Sequence, residues 1–253
     1  MTMTRPAGER QPAARLDPDA RGGLRLTLAV VAGLLLAIPF ALLLLLVVAH
    51  WGPLQRLDLR LDTHLNAFAF QHAGYVSLLQ GISVVGNPAT FEVLAAIGAV
   101  ILLVRRQPRL GVWLAVTVFG GGLLSTVVKA VVDRKRPLLP HPVAHAASAS
   151  FPSGHALGSL VGVGALLLVG LPFVRRARRP PLIVLGAAII LTIGFSRLGL
   201  GVHYLSDVLG GYLLGAGWLA ATTAAFAAWR RDRGEVAGRP IADGLEPANP
   251  EQV

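Results

Sequence analysis

Six long apolar runs constrain this chain more than any other feature. They fall at Leu26 to Ala49 and near 88–104, 110–128, 156–174, 181–196 and 204–228. Backbone N–H and C=O groups inside a bilayer must pair within their own segment, and about 20 apolar residues cross it, so such runs read as membrane helices. The first run exceeds the roughly 7–15 apolar residues of a signal peptide, and no convincing cleavage site follows it, so it reads as a retained helix. The expectation is an all-α, integral membrane bundle of six transmembrane helices over residues 26–229. A disordered tail precedes it at 1–25 and a flexible one follows at 230–253. Composition agrees: 14% of residues are charged, against about 25% in soluble domains.

Residues 50–87 break the pattern. Leu57, Leu59, Leu61, Leu65, Phe68 and Phe70 alternate with Asp58, Arg60, Asp62 and His64, which reads as helical or extended structure lying on the bilayer surface, or as a connecting loop. Gly158 with Gly162, and Gly211 with Gly215, are small-residue pairs that let helices approach closely. There is no cysteine, which excludes disulfides, thiol catalysis and cysteine metal sites. The net charge of +10 sits in short clusters between apolar runs. It forms no continuous basic face, so a nucleic-acid partner is not expected.

The positions of the basic residues orient the bundle. On one side fall Arg5, Arg10, Arg15, Arg21 and Arg25; Arg105, Arg106 and Arg109; Arg175, Arg176, Arg178 and Arg179; and Arg230, Arg231, Arg233 and Arg239. On the other fall Arg56, Arg60, Lys129, Arg134, Lys135, Arg136 and Arg197. Sixteen against seven places both termini in the cytoplasm of a plasma (inner) membrane protein. Basic residues on the disfavoured side need a reason, and an anionic ligand is one.

Three segments carry candidate chemistry. In Lys129-Ala-Val-Val-Asp-Arg-Lys-Arg136-Pro137, a third helix continuing past the membrane puts Lys129 and Arg136 on one face, with Pro137 stopping it. Joined by Arg197, they make a clamp for a dianionic phosphate, or else a solvated basic cluster at a helix end. In Pro152-Ser153-Gly154-His155, a proline in the first turn opens the fourth helix. The free N–H groups there suit an anion, Ser153 adds a hydroxyl, and Gly154 allows close approach. In Ser196-Arg197-Leu-Gly-Leu-Gly-Val-His203-Tyr-Leu-Ser-Asp207, His203 and Asp207 share a face at the start of the sixth helix. An aspartate on Nδ1–H fixes the tautomer that leaves Nε2 free to attack. The same spacing can hold a metal, but a neutral histidine beside three cations is a poor metal site. The first two segments share one loop and the third lies in another on the same side, so all three can meet.

Together, in this order, the segments closely resemble the phosphatidic acid phosphatase type 2 superfamily, whose pattern is K-x6-R-P, P-S-G-H and S-R-x5-H-x3-D. Every specified position is present between Lys129 and Asp207. The resemblance implies a lipid phosphate or diphosphate phosphatase working without metal or cofactor, its site at the outer membrane surface. It implies that His203 is the nucleophile forming a phosphohistidine, Asp207 its orienting partner, and His155 the acid for the leaving oxygen. Lys129, Arg136, Ser153, Gly154 and Arg197 become the phosphate cradle. Undecaprenyl diphosphate, phosphatidate and phosphatidylglycerol phosphate are candidate substrates. A phosphotransferase on the same scaffold, or a non-catalytic lipid-binding membrane protein, are the alternatives. Glu92 reads first as an interfacial glutamate, with a site-facing orientation as the alternative. His141 and His145 read as solvated loop residues, and Lys135 as solvent-exposed.

Overall fold

The structure, a computed structural model, describes residues 36–231; the expected tail at 1–25, the first ten residues of the first apolar run and residues 232–253 of the expected C-terminal tail lie outside the described residues, while the first two residues of that C-terminal tail continue α8. The described residues form eight α-helices: α1 (Leu36–Val48), α2 (Gly52–Gln71), α3 (Ala73–Val85), α4 (Pro88–Val104), α5 (Pro108–Val132), α6 (Gly154–Gly170), α7 (Arg179–Gly199) and α8 (Leu205–Arg231). Two short 3₁₀ turns, Leu171–Phe173 and Arg176–Arg178, join α6 to α7.

Five spans are long and apolar enough to cross a membrane: Ala73–Val104, Pro108–Val132, Gly154–Phe173, Arg176–Gly199 and Leu205–Ala227. α1 and α2 together, bent by 87° at the break between them, add a sixth span when that pair is counted as one. The chain is therefore an all-helical, multi-pass membrane protein. Large aliphatic side chains such as Val104, Leu123 and Leu185 stand out from the bundle, as helix faces solvated by lipid tails must.

The second crossing starts earlier than its apolar run suggests. Residues 73–85 are helical and lead almost directly into α4, so the candidate span covers 73–104, not 88–104. Only Gly86 and Asn87 interrupt it, and Asn87 caps α4 by accepting from Ala89 N at 3.0 Å.

At the centre stands α6, which packs against α4, α5, α7 and α8. Glycine makes two of these contacts possible. A Cβ at Gly162 would sit 2.5 Å from Phe91 of α4, and one at Gly211 of α8 would sit 2.6 Å from the Ser153 carbonyl. Leu157 and Val161 of α6 are buried with Phe91, Leu114 and Val118 in the main apolar cluster.

The surface segment is helical, and its polarity is inverted. On α2, Asp58, Asp62 and Asn66 recur every four residues and are buried, while Leu57, Leu59, Phe68 and Phe70 are exposed. Residues four apart share a helix face, so α2 turns its acids toward the bundle and its apolar side chains outward, as a helix lying in the bilayer interface does.

Candidate active site

All three motif segments meet at one end of the bundle. Ser153 is the N-cap of α6 in extended conformation, and its N–H donates to the Asp207 carbonyl at 2.9 Å, tying the start of α6 to the start of α8. Pro152 precedes this cap and so is not in the first helical turn, as the sequence suggested. Ser153 Oγ is buried without a hydrogen-bond partner among the described residues. At Gly154 a Cβ would meet Ser125 Oγ at 3.7 Å and Lys129 Cε at 3.8 Å. These are ordinary contacts, so what a side chain there would crowd is the space in front of Lys129.

The expected two-turn helical face for Lys129 and Arg136 does not form. α5 ends at Val132, and Asp133 turns left-handed (φ 42°, ψ 41°) as its C-cap. Aspartate adopts this conformation more readily than most residues, and Pro137 disfavours helix just before it. The chain then runs without helix from Asp133 to Ser153, and the loop itself brings Arg136 back. Lys129 Nζ donates to Ala149 O at 2.7 Å, and Arg136 donates from Nε to Ser148 O at 2.7 Å and from Nη1 to Val202 O at 2.6 Å. Arg197, at the end of α7, is buried. It donates to Ser83 Oγ, and its Nε has no partner among the described residues.

His203 lies just before α8, not within it, and is 2% exposed. Its Nε2 is 3.2 Å from Arg136 Nη1, and its Nδ1 is 3.4 Å from Asp207 Oδ2, long for a hydrogen bond. A guanidinium can only donate, so Nε2 is the lone-pair nitrogen and Nδ1 carries the hydrogen, facing the carboxylate. Asp207 is placed by the helix start: its Oδ2 accepts from Tyr204 N at 2.9 Å. Burial pushes the His203 pKa down to about 4; Asp207 opposes this, and Arg136 and Arg197 add to it. The ring is therefore neutral at ordinary pH. His155, second residue of α6, directs Nε2 at Ser83 O, 3.2 Å away. A carbonyl only accepts, so this nitrogen carries the proton.

Two functional neighbours were not singled out in the sequence. Ser83 of α3 touches both His155 and Arg197, and nothing in its local sequence marks it. Arg134 donates to Asp207 Oδ1 at 2.6 Å and to Asp58 Oδ2 at 2.9 Å, 76 residues away. The four-residue repeat of Asp58, Asp62 and Asn66 was the available signal for that pairing.

A cavity of about 490 Å³ opens beside Lys129 between α4, α5 and α6, and Ser125, Gly154 and Glu92 line it. Glu92 thus lines the cavity that Lys129 heads. Lys135 is exposed, as expected, and so are His141 and His145. His141 also stacks on Phe70, with ring centroids 4.1 Å apart. Among the described residues no group of three or more histidines, aspartates or glutamates is placed to hold a metal ion.

Fold and site define a polytopic membrane protein with a cationic, histidine-bearing site at one end of its bundle. The PAP2 superfamily model matches residues 110–231. A decaprenylphosphoryl-5-phosphoribose phosphatase of Mycobacterium tuberculosis is 34% identical over 151 residues, covering 56% of this chain and 76% of that protein. The chain belongs to the PAP2 superfamily. It is also 39% identical over 106 residues to phosphatidylglycerophosphatase B of Bacillus subtilis, covering 40% of this chain and 51% of that protein. It is 35% identical over 99 residues to the undecaprenyl-diphosphatase BcrC of the same organism, covering 38% of this chain and 47% of that protein. The chain thus spans about half the length of these last two relatives. The crystal structure of a transmembrane PAP2 type phosphatidylglycerolphosphate phosphatase from Bacillus subtilis has the same fold. Its TM-score is 0.67 at 24% identity, covering 82% of this chain and 99% of that one.

Proposed function

We propose that this protein is a lipid phosphate or diphosphate phosphatase acting through a phosphohistidine on His203. One observation carries the reading. Lys129, Arg136 and Arg197 gather around a neutral, buried histidine, and among the described residues none of the three has an acidic partner. One buried and two half-buried cations held only by carbonyls and hydroxyls make a receptor for an anion. The partnerless Ser153 Oγ and Arg197 Nε add to this, because each such group costs on the order of 1–3 kcal/mol, which a phosphate oxygen offsets.

The steps follow from the geometry. Nε2 of His203 attacks phosphorus in line, with Asp207 steadying the imidazolium that develops. Lys129, Arg136 and Arg197 stabilise the equatorial oxygens with the Ser153 hydroxyl and the Gly154 backbone, so most of the acceleration is positional and electrostatic. His155, charged as an imidazolium once the phosphate's negative charge lies beside it, exchanges the Ser83 carbonyl for the leaving oxygen, gives it the Nε2 proton and becomes neutral, then regains that proton from the water that cleaves the phosphohistidine. The relatives are named for acting on phosphatidylglycerophosphate, undecaprenyl diphosphate and decaprenylphosphoryl phosphoribose. The shared chemistry is a phosphate ester or anhydride on a membrane lipid, and the Glu92-lined cavity beside Lys129 is where the choice among lipids is made. The arginine distribution supports a cytoplasmic position for both termini and a site on the outer face. A single cysteine at position 145 is then labelled by an impermeant reagent in intact cells and one at 177 is not; the reverse pattern overturns the orientation.

The decisive experiment is phosphate release by purified protein from a panel of lipid phosphates and diphosphates, with His203→Ala as control and with and without chelator. Release that survives chelation, is blocked by vanadate and vanishes in His203→Ala supports the reading. Activity lost to EDTA and restored by a divalent ion overturns it. Transfer of the phosphoryl group to an added lipid or sugar in preference to water points to the phosphotransferase.

A further inference from the structure

We propose that Arg134 is a positioning residue for this reaction: its guanidinium ties Asp58 of α2 to Asp207 of α8 and so holds the carboxylate that faces His203. Arg134 lies outside the positions the family pattern specifies, between Lys129 and Arg136, and its surroundings differ from theirs. Its Nη1 donates to both Asp207 Oδ1, at 2.6 Å, and Ser206 Oγ, at 2.7 Å, and its Nη2 donates to Asp58 Oδ2 at 2.9 Å. Its guanidinium carbon stacks 4.2 Å above the Tyr204 ring. Asp58 is fully buried and closes the circuit, accepting from Ser206 N at 3.0 Å and Ser206 Oγ at 2.5 Å. Ser206 and Asp207, both in the turn that opens α8, are therefore tied into the Asp58–Arg134 pair.

This arrangement does two things a simple staple does not. It fixes Asp207 Oδ1, so that Oδ2 is left to Tyr204 N and His203 Nδ1. It also divides the charge of Asp207 between a permanent cation and the imidazole. Without Arg134 the whole carboxylate charge acts on His203, the imidazolium gains stability, and the neutral nucleophile is lost at a higher pH. The charged and titratable groups that bear on His203 are Arg136 from the loop, Arg197 from α7, His155 from α6 and Asp207 from α8. Behind Asp207 stand Arg134, Asp58, Asp62 and Tyr204. Of these, Arg134 is the cation that touches Asp207 directly.

The proposal rests on His203 being the nucleophile, and the two fail separately. Turnover by His203→Ala sinks the nucleophile assignment. A dead His203→Ala beside a wild-type Arg134→Gln sinks only this one. The test measures kcat, KM and the acid limb of kcat/KM for full-length Arg134→Gln, Arg134→Lys and Asp58→Asn, with Lys135→Gln as the exposed neighbour control. Arg134→Gln is expected to lower kcat at least about tenfold with KM within about twofold, and to move the acid limb up by roughly one pH unit. Arg134→Lys keeps the charge, so its limb stays at the wild-type position while kcat recovers in part. Asp58→Asn leaves Arg134 on Asp207 but frees it from α2, so kcat falls by about threefold or more with no upward shift. Lys135→Gln matches wild type. An unmoved limb in Arg134→Gln overturns the proposal. If that variant does not fold, wild-type kcat in Asp58→Asn or in Arg134→Lys does the same.

Discussion

His203 has two sides, and they are built on opposite principles. On the Nε2 side, Arg136, Lys129 and Arg197 are held by carbonyl and hydroxyl oxygens. On the Nδ1 side, Arg134 is held by two aspartates. Arg134 and Arg136 stand two positions apart in one loop, yet the first is neutralised by acids and the second, like Lys129 of α5 and Arg197 of α7, is left without counter-charge. A cation satisfied by carboxylates is structural glue; a cation satisfied only by neutral oxygens retains its attraction for an anion. Asp58 of α2 and Asp207 of α8 create the difference. The lesson is that charge count in a loop says little, and which cations have been given acids says much.

The sharpest way to break this comparison is through the two histidines. If His203 forms the bond and His155 supplies the proton, His203→Ala loses all turnover and takes up no phosphoryl label. His155→Ala loses about 10²–10⁴-fold on a lipid monophosphate but much less on a nitrophenyl phosphate, whose leaving group needs no proton. A diphosphate falls between. Equal losses on all three leaving groups, or label on the His203 variant, would show the roles to be misassigned; acid and base quenching identify the label, because phosphohistidine survives base and not acid.

A smaller effect tests the front side alone. Lys129 is one of two lysines in an arginine-rich chain, and a guanidinium is a planar fork where an ammonium is a compact charge. Lys129→Arg is expected to lower kcat/KM about tenfold or more, roughly 1.4 kcal/mol. Lys135→Arg, on an exposed residue, stays near wild type. Equal effects at both positions would erase the distinction between lysines inside and outside the site.

The smallest effect concerns pH. Burial holds His203 down near 4, with Arg136 and Arg197 adding to it. Only the neutral ring attacks, so the active fraction is full well above that value and lost as pH falls through it. The acid limb of kcat/KM, corrected for substrate ionisation, is therefore expected near pH 4 and not near the ordinary histidine value of about 6.5. A limb at the ordinary value would mean that Asp207 offsets burial and the front cations together.

Much of this molecule was legible in its sequence because the bilayer leaves few options. Apolar runs of spanning length admit only helices, and the segments around Lys129, Ser153 and His203 do converge. What was not legible depends on distant partners. The break at Asp133 ends α5 one turn after Lys129, so Arg136 reaches the site through the loop and not along a helix. The Asp58–Arg134 pair joins residues 76 apart and leaves no local trace beyond a polar repeat on α2. Residues 73–85 are apolar and helical but only 13 residues long, too short to cross alone, and their part in a span shows only when they are joined to α4. Of these, Ser83 points into the site.

The loop between Asp133 and Ser153 is fastened by the same cations that the substrate needs. Lys129 grips Ala149 O, and Arg136 grips Ser148 O and Val202 O. On the proposed reading, an arriving phosphate displaces these carbonyls, and they reclaim the cations when it departs. Inorganic phosphate, the smallest anion to occupy the site, must compete against that intramolecular exchange without a lipid tail to anchor it. Product inhibition should accordingly be weak. The loop's own carbonyls act as the eluent that clears the site after each turnover.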